Sequence, residues 1–261
     1  MSRVIAIANQ KGGVGKTTTA VNLSACIANG GKDVLLIDAD PQGNATSGFG
    51  IDKDKVRDSV YDILINGVEF DEVITKTMIR TLKICPSNIQ LAGAEIEMVT
   101  LPARESWLKK ALAGHRDKYD VIFIDCPPSL NLLTLNALTA ADSVLMPIQC
   151  EYYALEGVGQ LVRTVNLVRK NFNPKLEIEG VVLTMFDART NLAVQVVDEI
   201  KRHFKGMVYP AFIPRNVKLG EAPSHGLPII LYDSGSKGAS AYMDLAGEVL
   251  DRIAERPHGG K

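Results

Sequence analysis

The sequence predicts an α/β protein with a doubly wound, mainly parallel sheet flanked by helices. Three observations predict this class. Short aliphatic and β-branched runs alternate with longer segments of helical period, and those runs are apolar on both faces, as in a sheet covered on both sides. In addition, no linker or internal repeat divides the chain. We therefore expect one domain over residues 1–256 and a loose tail over 257–261.

Seven strands and six helices are predicted. In chain order the strands are VIAIAN (4–9), VLLIDA (34–39), LKICP (82–86), VIFID (121–125), SVLMPIQ (143–149), GVVLTM (180–185) and VYPAFI (208–213). The helices are expected over 16–29, 102–116, 131–140, 153–171, 190–205 and 237–255. Ligands of such sheets bind at the carboxyl ends of the strands, where this chain has Asn9, Asp38, Asp40, Asp125 and Gln149.

Composition excludes several functional classes. The 261 residues include 29 Lys and Arg against 30 Asp and Glu, a net charge of -1 that excludes a uniformly basic nucleic-acid-binding protein. No apolar run approaches the ~18–20 residues of a membrane span. The four cysteines are dispersed without a CxxC pair, so we expect reduced thiols packed as small hydrophobic residues. These features predict a cytoplasmic protein.

A glycine-rich loop follows the first strand. Its sequence is Lys11-Gly12-Gly13-Val14-Gly15-Lys16-Thr17-Thr18, and it opens the first helix. Glycines allow backbone N–H groups to surround an anion, and a helix N-terminus adds unpaired amides. Lys16 can reach terminal phosphates, and the Thr17 hydroxyl can bind Mg²⁺. The loop therefore predicts nucleotide binding. The alternative, a turn that only joins strand to helix, is disfavoured by the GKT sequence.

Carboxylates at two later strand ends complete the predicted chemistry. The two-residue period places Asp38 and Asp40 on one side of the chain, where both can face the loop. Asp125 ends an apolar strand, and such a carboxylate usually holds Mg²⁺ through water in phosphate-loop enzymes. No kinase acceptor pattern is present, so water is the expected acceptor. The predicted reaction is hydrolysis of ATP to ADP and phosphate.

The loop departs from the common phosphate-loop pattern, since Gln10 replaces a glycine and Lys11 is a second lysine. In this it resembles the deviant Walker A motif of the ParA/MinD family of P-loop ATPases. DADPQGN (38–44) and IDCPPS (124–129) are similar to the family's switch regions. The resemblance implies that Lys11 reaches across an ATP-sandwich homodimer and that Asp40 positions the attacking water and also belongs to the magnesium site. It also implies that Asp38 supports the magnesium shell, with strand-end capping as the alternative.

Four further blocks resemble the chromosomal ParA/Soj branch of the family. They are IQLAGAEIE (89–97), PIQCEYYALEG (147–157), LTMFDARTNL (183–192) and PRNVKLGEAPSHGLPIILYD (214–233). The resemblance implies that Pro214 and Asn216 contact adenine, although a proline-stabilised loop and a turn asparagine are the alternative. It also implies a DNA-partitioning ATPase that is nucleoid-associated, binds double-stranded DNA non-specifically and is stimulated by a ParB-type centromere-binding protein.

A local basic cluster lies within the nearly neutral chain. Residues 189–218 contain Arg189, Lys201, Arg202, Lys205, Arg215 and Lys218 against Asp198 and Glu199, which is +4 and leaves -5 elsewhere. The alternative is a solvated helix face. The family resemblance implies that Arg189, Arg215 and Lys218 contact DNA phosphates. Dimerisation would double those contacts, so DNA binding is expected to depend on ATP.

Other functions remain as alternatives. A MinD-like membrane-associated ATPase would need a cationic amphipathic C-terminal helix, whereas Asp244, Glu248, Asp251 and Glu255 make the last helix acidic. No membrane partner is therefore expected. An iron–sulfur reductase would need cluster cysteines, for which Cys126 and Cys150 are the candidates. Asp40 argues against a nucleotide-binding module without hydrolysis. A ParA-like ATPase that positions another cargo stays open.

Overall fold

A computed structural model of the chain describes residues 2–151, 154–187 and 189–255. The strands are β1 Arg3–Ile7, β2 Val34–Asp38, β3 Thr75–Lys76, β4 Leu82–Cys85, β5 Val121–Asp125, β6 Ser143–Gln149, β7 Glu177–Phe186 and β8 Val208–Pro214. The α-helices are α1 Lys16–Asn29, α2 Asn44–Ser47, α3 Phe70–Val73, α4 Leu91–Glu97, α5 Trp107–Leu112, α6 Leu132–Ala140, α7 Ala154–Asn171, α8 Asn191–His203, α9 Val217–Glu221, α10 Ile229–Tyr232 and α11 Lys237–Glu255.

The strands form one sheet in the order β3-β4-β2-β5-β1-β6-β7-β8. Every neighbouring pair is parallel except β3 and β4, which are antiparallel. Strand β1 lies between β5 and β6, so the chain reverses its direction across the sheet beside it. This topology confirms the predicted doubly wound, mainly parallel α/β class. It also places the ends of β1, β2 and β5 side by side, where a ligand is expected.

The sheet is covered on both faces. Alternate residues of β2 and β5 point into two apolar layers, so that Ile37 and Ile124 pack on one face while Leu36 and Phe123 pack on the other. Helices α1 and α11 lie on the second face, where Tyr242 is fully buried. The strands can therefore be apolar throughout, as the sequence indicated, because neither of their faces meets water.

Some predicted boundaries are wrong for physical reasons. The helix expected over 102–116 is α only over Trp107–Leu112, because Ala103 adopts φ 52° and Pro102 cannot donate a backbone hydrogen bond. Strand β7 begins at Glu177 rather than at residue 180. Its first residues include two glutamates, so the apolar pattern that predicts a buried strand begins only later. One of them, Glu179, is buried and accepts a hydrogen bond from the Arg3 guanidinium at 2.8 Å. The two-residue strand β3 was not predicted.

Among the described residues, no helix has the length and apolar character that crossing a membrane requires. The predicted tail over 257–261 lies outside the described residues, as does residue 153 at the predicted start of α7. The one-domain organisation over residues 1–256 stays a prediction.

Candidate active site

The loop between β1 and α1 turns through two left-handed glycines. Gly13 has φ 72° and Gly15 has φ 87°, conformations that residues with a β-carbon rarely adopt. Gly15 is the residue before α1, which begins at Lys16 as the sequence predicted. A β-carbon added to Gly12 would meet nothing within 4 Å, so that glycine faces open space. The loop therefore exposes its backbone at the N-terminus of a helix, the geometry expected of an anion site.

Lys16 crosses the loop beneath this backbone. Its side chain is buried, and its ammonium donates a hydrogen bond to the carbonyl of Lys11 at 3.1 Å. Burial lowers the pKa of Lys16, while the nearby charges of Asp125 and Asp40 oppose that effect. The predicted phosphate-binding lysine and the two predicted carboxylates thus lie together under the loop.

Asp125 has the most unusual environment of these carboxylates. It is fully buried, and within the described residues neither of its side-chain oxygens has a hydrogen-bond partner. Burial, then the charge of Asp38, raises its pKa well above the usual range. The neighbouring Thr17 hydroxyl partly offsets this shift without reaching good hydrogen-bond geometry. Two unpartnered carboxylate oxygens beside a hydroxyl fit a hard cation such as Mg²⁺, bound directly or through water.

Asp38 is buried as deeply as Asp125, but both of its carboxylate oxygens accept hydrogen bonds. One oxygen accepts hydrogen bonds from the Thr46 N–H at 2.8 Å and the Thr46 hydroxyl at 2.7 Å. The other accepts from the Asp40 N–H at 3.3 Å. Burial nevertheless raises the pKa of Asp38 to about 6. These contacts favour the capping alternative over a magnesium-shell role, because Asp38 fixes the turn that carries Asp40.

Asp40 starts that turn at the end of β2. Its carboxylate accepts a hydrogen bond from the Gln42 N–H at 2.9 Å, which closes an Asx turn. Gly43 follows with φ 62°, and a β-carbon there would lie 2.9 Å from the Ser87 carbonyl. The segment is therefore held tightly against the loop after β4. This arrangement fixes the Asp40 carboxylate near Lys16.

A cavity of about 210 Å³ lies beside the loop, between Gly15 and Thr18 on one side and the end of β8 on the other. Pro214 and Asn216 line it, as expected for contacts to a nucleotide base. Asn216 also caps the N-terminus of α9, where its side-chain oxygen accepts a hydrogen bond from the Lys218 N–H at 2.8 Å. The cavity brings the predicted base-binding and phosphate-binding residues together, although the adenine contacts themselves stay a prediction.

Two residues at the end of β7 join this site without having been predicted. The Thr184 hydroxyl donates to the Val14 carbonyl at 2.8 Å and so ties β7 to the phosphate loop. Met185 lines the cavity with φ 51°, a strained conformation for a residue other than glycine. Both lie in the block LTMFDARTNL, but nothing in their residue types indicated these roles.

Lys11, the second lysine of the loop, has an unpredicted carboxylate partner. Its ammonium lies 3.5 Å from Glu151, whose other oxygen lies 3.7 Å from the Arg215 guanidinium. The Gln149 side chain also donates to Glu151. One carboxylate therefore contacts both the lysine expected at the dimer interface and an arginine expected to bind DNA.

The other predicted DNA-binding residues are also paired. Arg189 makes two hydrogen bonds to Asp187, at 2.6 and 2.8 Å, which lower the pKa of that carboxyl to about 2. Lys218 pairs with Glu221 at 2.9 Å. These acids and Glu151 lie outside residues 189–218, so the count of +4 overstates the local positive charge.

The cysteine candidates for a metal cluster are buried. Cys126 is fully buried and Cys150 is 6% exposed. Burial raises the pKa of each thiol, to about 12 for Cys150. Both behave here as small hydrophobic residues of the core.

Comparisons with known proteins agree with this geometry. A family described as an AAA domain matches residues 2–178. The sporulation initiation inhibitor protein Soj of Bacillus subtilis is 61% identical over 249 residues, covering 95% of this chain and 98% of that protein. The chromosome partitioning protein ParA of Myxococcus xanthus is 52% identical, covering 97% and 89%. A structure of cobyrinic acid a,c-diamide synthase from Mycobacterium smegmatis with bound ADP and magnesium superposes with a TM-score of 0.85 at 40% identity, covering 98% and 96%.

Proposed function

Since the chain belongs to the Soj/ParA family of chromosome-partitioning ATPases, we propose that it is a DNA-partitioning switch driven by ATP hydrolysis. The observation that carries the proposal is the grouping of Lys16, Asp40 and Asp125 beneath a left-handed glycine loop. This grouping supplies positive charge, a carboxylate for water and a magnesium position around one phosphate chain. The partition role itself rests on the relatives.

The chain's residues would divide the chemistry between them. Backbone N–H groups of the loop and the start of α1 bind the phosphates, and Lys16 offsets the negative charge that develops on them. Asp40 accepts a hydrogen bond from a water that attacks the γ-phosphorus, and the bond to the β-phosphate oxygen breaks to give ADP and phosphate. Thr17 and Asp125 would hold Mg²⁺, which further neutralises the phosphates. Pro214 and Asn216 would hold the adenine.

ATP would also assemble the homodimer. Lys11 is the residue proposed to cross to the partner's phosphates, and its side chain is 35% exposed. Its contact with Glu151 is a single long ion pair at 3.5 Å, which is weak enough to exchange for a phosphate. The dimer would then form only when nucleotide offers that better partner.

The dimer would bind double-stranded DNA without sequence preference through Arg189, Arg215 and Lys218. All three side chains are substantially exposed, and their carboxylate partners are exposed as well or nearly so. Surface ion pairs of this kind contribute little stability, so phosphates can replace them. A ParB-type protein would stimulate hydrolysis, and the protein would be cytoplasmic and nucleoid-associated.

Three alternative functions are less well supported. The Mycobacterium smegmatis protein is named as a synthase, but its 40% identity is below that of the partition proteins at 61% and 52%. A MinD-like membrane role would need α11 to be free, yet Leu245 and Val249 are buried against the sheet. Glu248 also accepts a hydrogen bond from the Ala211 N–H in β8. Positioning of a cargo other than DNA would use the same chemistry.

The decisive experiment measures ATP turnover and DNA retention together. We expect Asp40→Ala to lower hydrolysis about 100-fold while ATP-dependent dimers stay on DNA. Lys16→Ala should abolish nucleotide-dependent dimerisation. Asp251→Ala, an exposed acidic position on α11, is the matched control and should behave as wild type. Hydrolysis by Asp40→Ala at the wild-type rate, with DNA present, would refute the assigned mechanism.

A further inference from the structure

The end of strand β7 lies against the phosphate loop and contacts it at one peptide group. Val182 of β7 packs in the apolar layer beneath α1, and Thr184, two residues further along, faces the same side of the sheet. The Thr184 side chain is buried, and its hydroxyl donates a hydrogen bond to the Val14 carbonyl at 2.8 Å. Thr184 therefore holds the peptide group between Val14 and Gly15.

The backbone of Thr184 is also fixed. Its carbonyl accepts a hydrogen bond from the Cys150 N–H at 3.2 Å, which ties it to the end of β6. Over residues 183–186 strand β7 advances three positions while β8 advances two, over 212–214, so β7 contains a bulge here. Met185 lies within the bulge at φ 51°, a conformation that persists only where the surrounding contacts impose it. The contacts of this segment thus hold Thr184 in a defined place beside the loop.

The hydrogen bond from Thr184 sets the direction of the next N–H group. In a planar trans peptide the carbonyl and the N–H point in opposite directions. Since the Val14 carbonyl is turned towards Thr184, the Gly15 N–H points away from β7. Within the described residues, no backbone carbonyl accepts a hydrogen bond from this N–H. Gly15 directly precedes α1, so its N–H joins the unpaired amides that a helix N-terminus offers to an anion.

The same peptide group has little other restraint against rotation. Its rotation changes ψ of Val14 and φ of Gly15, and glycine carries few restrictions on φ. A β-carbon at Gly15 would lie 3.7 Å from the Thr184 methyl group, an ordinary contact, so the φ of 87° rather than lack of space requires glycine. Without the bond from Thr184 the group can turn over and present the Val14 oxygen to the phosphates. That oxygen would repel an anion where the N–H attracts it.

The start of the loop is held in a different way. Asn9 donates a hydrogen bond to the Pro147 carbonyl at 2.7 Å and accepts one from the Lys11 N–H at 3.0 Å. This contact uses an N–H group of the loop, which is then not available to a phosphate. The contact of Thr184 uses a carbonyl and leaves an N–H available. Asn9 therefore anchors the loop, whereas Thr184 also orients a phosphate-binding group.

We propose that Thr184 is a positioning residue for phosphate binding, whose hydroxyl holds the peptide group between Val14 and Gly15 so that the Gly15 N–H faces the phosphates. The inference rests on the proposed function for the identity of the ligand, a nucleoside diphosphate or triphosphate. It requires no contact between Thr184 and the nucleotide. Because the N–H would bind phosphate before and during the reaction, Thr184 should raise nucleotide affinity and leave the hydrolysis step nearly unchanged.

The test compares two substitutions in the full-length protein. Thr184→Val keeps the shape of the side chain and removes the hydroxyl, whereas Thr184→Ser keeps the hydroxyl. We expect Thr184→Val to bind ATP and ADP about tenfold to 100-fold more weakly than wild type, as for the loss of a hydrogen bond to a charged group. Thr184→Ser should restore the affinity. In steady-state kinetics KM should rise in Thr184→Val, while kcat stays within about threefold of wild type.

Thr81→Val is the matched control. The Thr81 hydroxyl also donates to a backbone carbonyl, that of Ala28 at 2.6 Å, but at the opposite end of α1. This variant should lose stability while keeping wild-type nucleotide affinity. Equal affinity of Thr184→Val and wild type, equal weakening in Thr81→Val, or no recovery in Thr184→Ser would each overturn the proposal. A fall in kcat with KM unchanged would also overturn it.

A third variant covers the case in which Thr184→Val does not fold. Thr184→Cys carries a thiol, which is a weaker donor, so its nucleotide affinity should lie below that of Thr184→Ser. Equal affinity of these two variants would overturn the proposal. Calorimetric titration measures nucleotide binding without turnover. Wild type that binds ATP but neither hydrolyses it nor stays on DNA would count against the proposed function alone, whereas full ATP affinity in a folded Thr184→Val would count against the role of Thr184 alone.

Discussion

Asp38 and Asp125 are register partners at the carboxyl ends of the adjacent parallel strands β2 and β5. Both side chains are fully buried, so two carboxylates lie side by side with no access to water. Three hydrogen bonds stabilise Asp38, whereas within the described residues Asp125 has none. The local fold therefore carries an electrostatic cost at Asp125 that a nearby cation would relieve.

The first prediction is that Asp125→Asn stabilises the nucleotide-free protein. The substitution keeps the shape of the side chain and removes an ionisable carboxyl whose charged form burial and Asp38 disfavour, so the unfolding free energy near neutral pH should rise by about 1–3 kcal/mol. Thermal unfolding without nucleotide measures this. Adding ATP with Mg²⁺ should then stabilise the variant less than wild type. A less stable variant that keeps the full magnesium effect would show that Asp125 has only a structural role.

The second prediction concerns pH. Because burial raises the pKa of Asp38 from 3.8 to about 6, the native state holds a proton that the unfolded state has released. The resulting stability is fully present below about pH 4 and is lost as pH rises through about 6, by at most about 3 kcal/mol. Urea unfolding of the nucleotide-free protein between pH 4 and 7.5 should show this loss in wild type more than in Asp38→Asn. The same pH dependence of the unfolding free energy in wild type and Asp38→Asn would contradict the role given to Asp38. Asp251→Asn, at an exposed position, is the control and should behave as wild type.

The third prediction is that the native thiols are inert. All four cysteines are buried, and burial raises their pKa values, to about 12 for Cys26 and Cys150. At pH 8 a thiol reagent should therefore react with none of them in the native protein and with all four in denaturant. Leu167→Cys, which introduces an exposed thiol, should react at once. Rapid reaction of a native cysteine would indicate local opening or a reactive site.

The helices and strands that the sequence predicted correctly are those whose pattern lies within the element itself or in the residues next to it. Residues 16–29 form a helix with the predicted bounds because a glycine turn precedes it and a glycine follows it. Strands such as β5 were predictable because every one of their residues is buried. Short helices such as α9 and α10 carry too few residues for a period to appear. Strand β7 was predicted too short because its charged start is stabilised by Arg3, far away in sequence.

The site was predicted in its residues but not in its pairings. The glycine loop, Lys16 and the strand-end carboxylates follow from chemistry that each segment carries by itself. The bonds from Thr46 to Asp38, from Thr184 to Val14 and from Lys11 to Glu151 join residues that are 8, 170 and 140 positions apart. Only the folded sheet brings them together. The net charge of +4 over residues 189–218 likewise left out Asp187 and Glu221, which lie just outside that range.

The fourth prediction tests the DNA-binding surface. Arg189 is 88% exposed and its ordered contacts are to Asp187, so its removal should leave the nucleotide site intact. We expect Arg189→Ala to weaken ATP-dependent DNA binding and to lower its salt dependence, with ATP affinity unchanged. Arg57→Ala, at an exposed arginine outside this cluster, is the control. Loss of ATP binding in Arg189→Ala would place this residue in the nucleotide site instead.

The fifth prediction concerns Glu151, which contacts both Lys11 and Arg215. Glu151→Gln removes the negative charge shared by the two cations, so both should bind phosphates more readily. We expect tighter DNA binding, about threefold to tenfold at low salt and less at high salt, and dimerisation at lower ATP concentration. Gel shift and sedimentation measure the two effects.

Glu221→Gln is the matched variant, because Glu221 pairs with Lys218 but lies outside the contacts of Lys11. It should strengthen DNA binding while leaving the ATP dependence of dimerisation unchanged. The comparison therefore separates a general change in surface charge from a specific release of Lys11. If Glu151→Gln instead weakened DNA binding, Glu151 would be orienting Arg215 towards the phosphates rather than neutralising it, since an ion pair can hold a guanidinium in place as well as mask it.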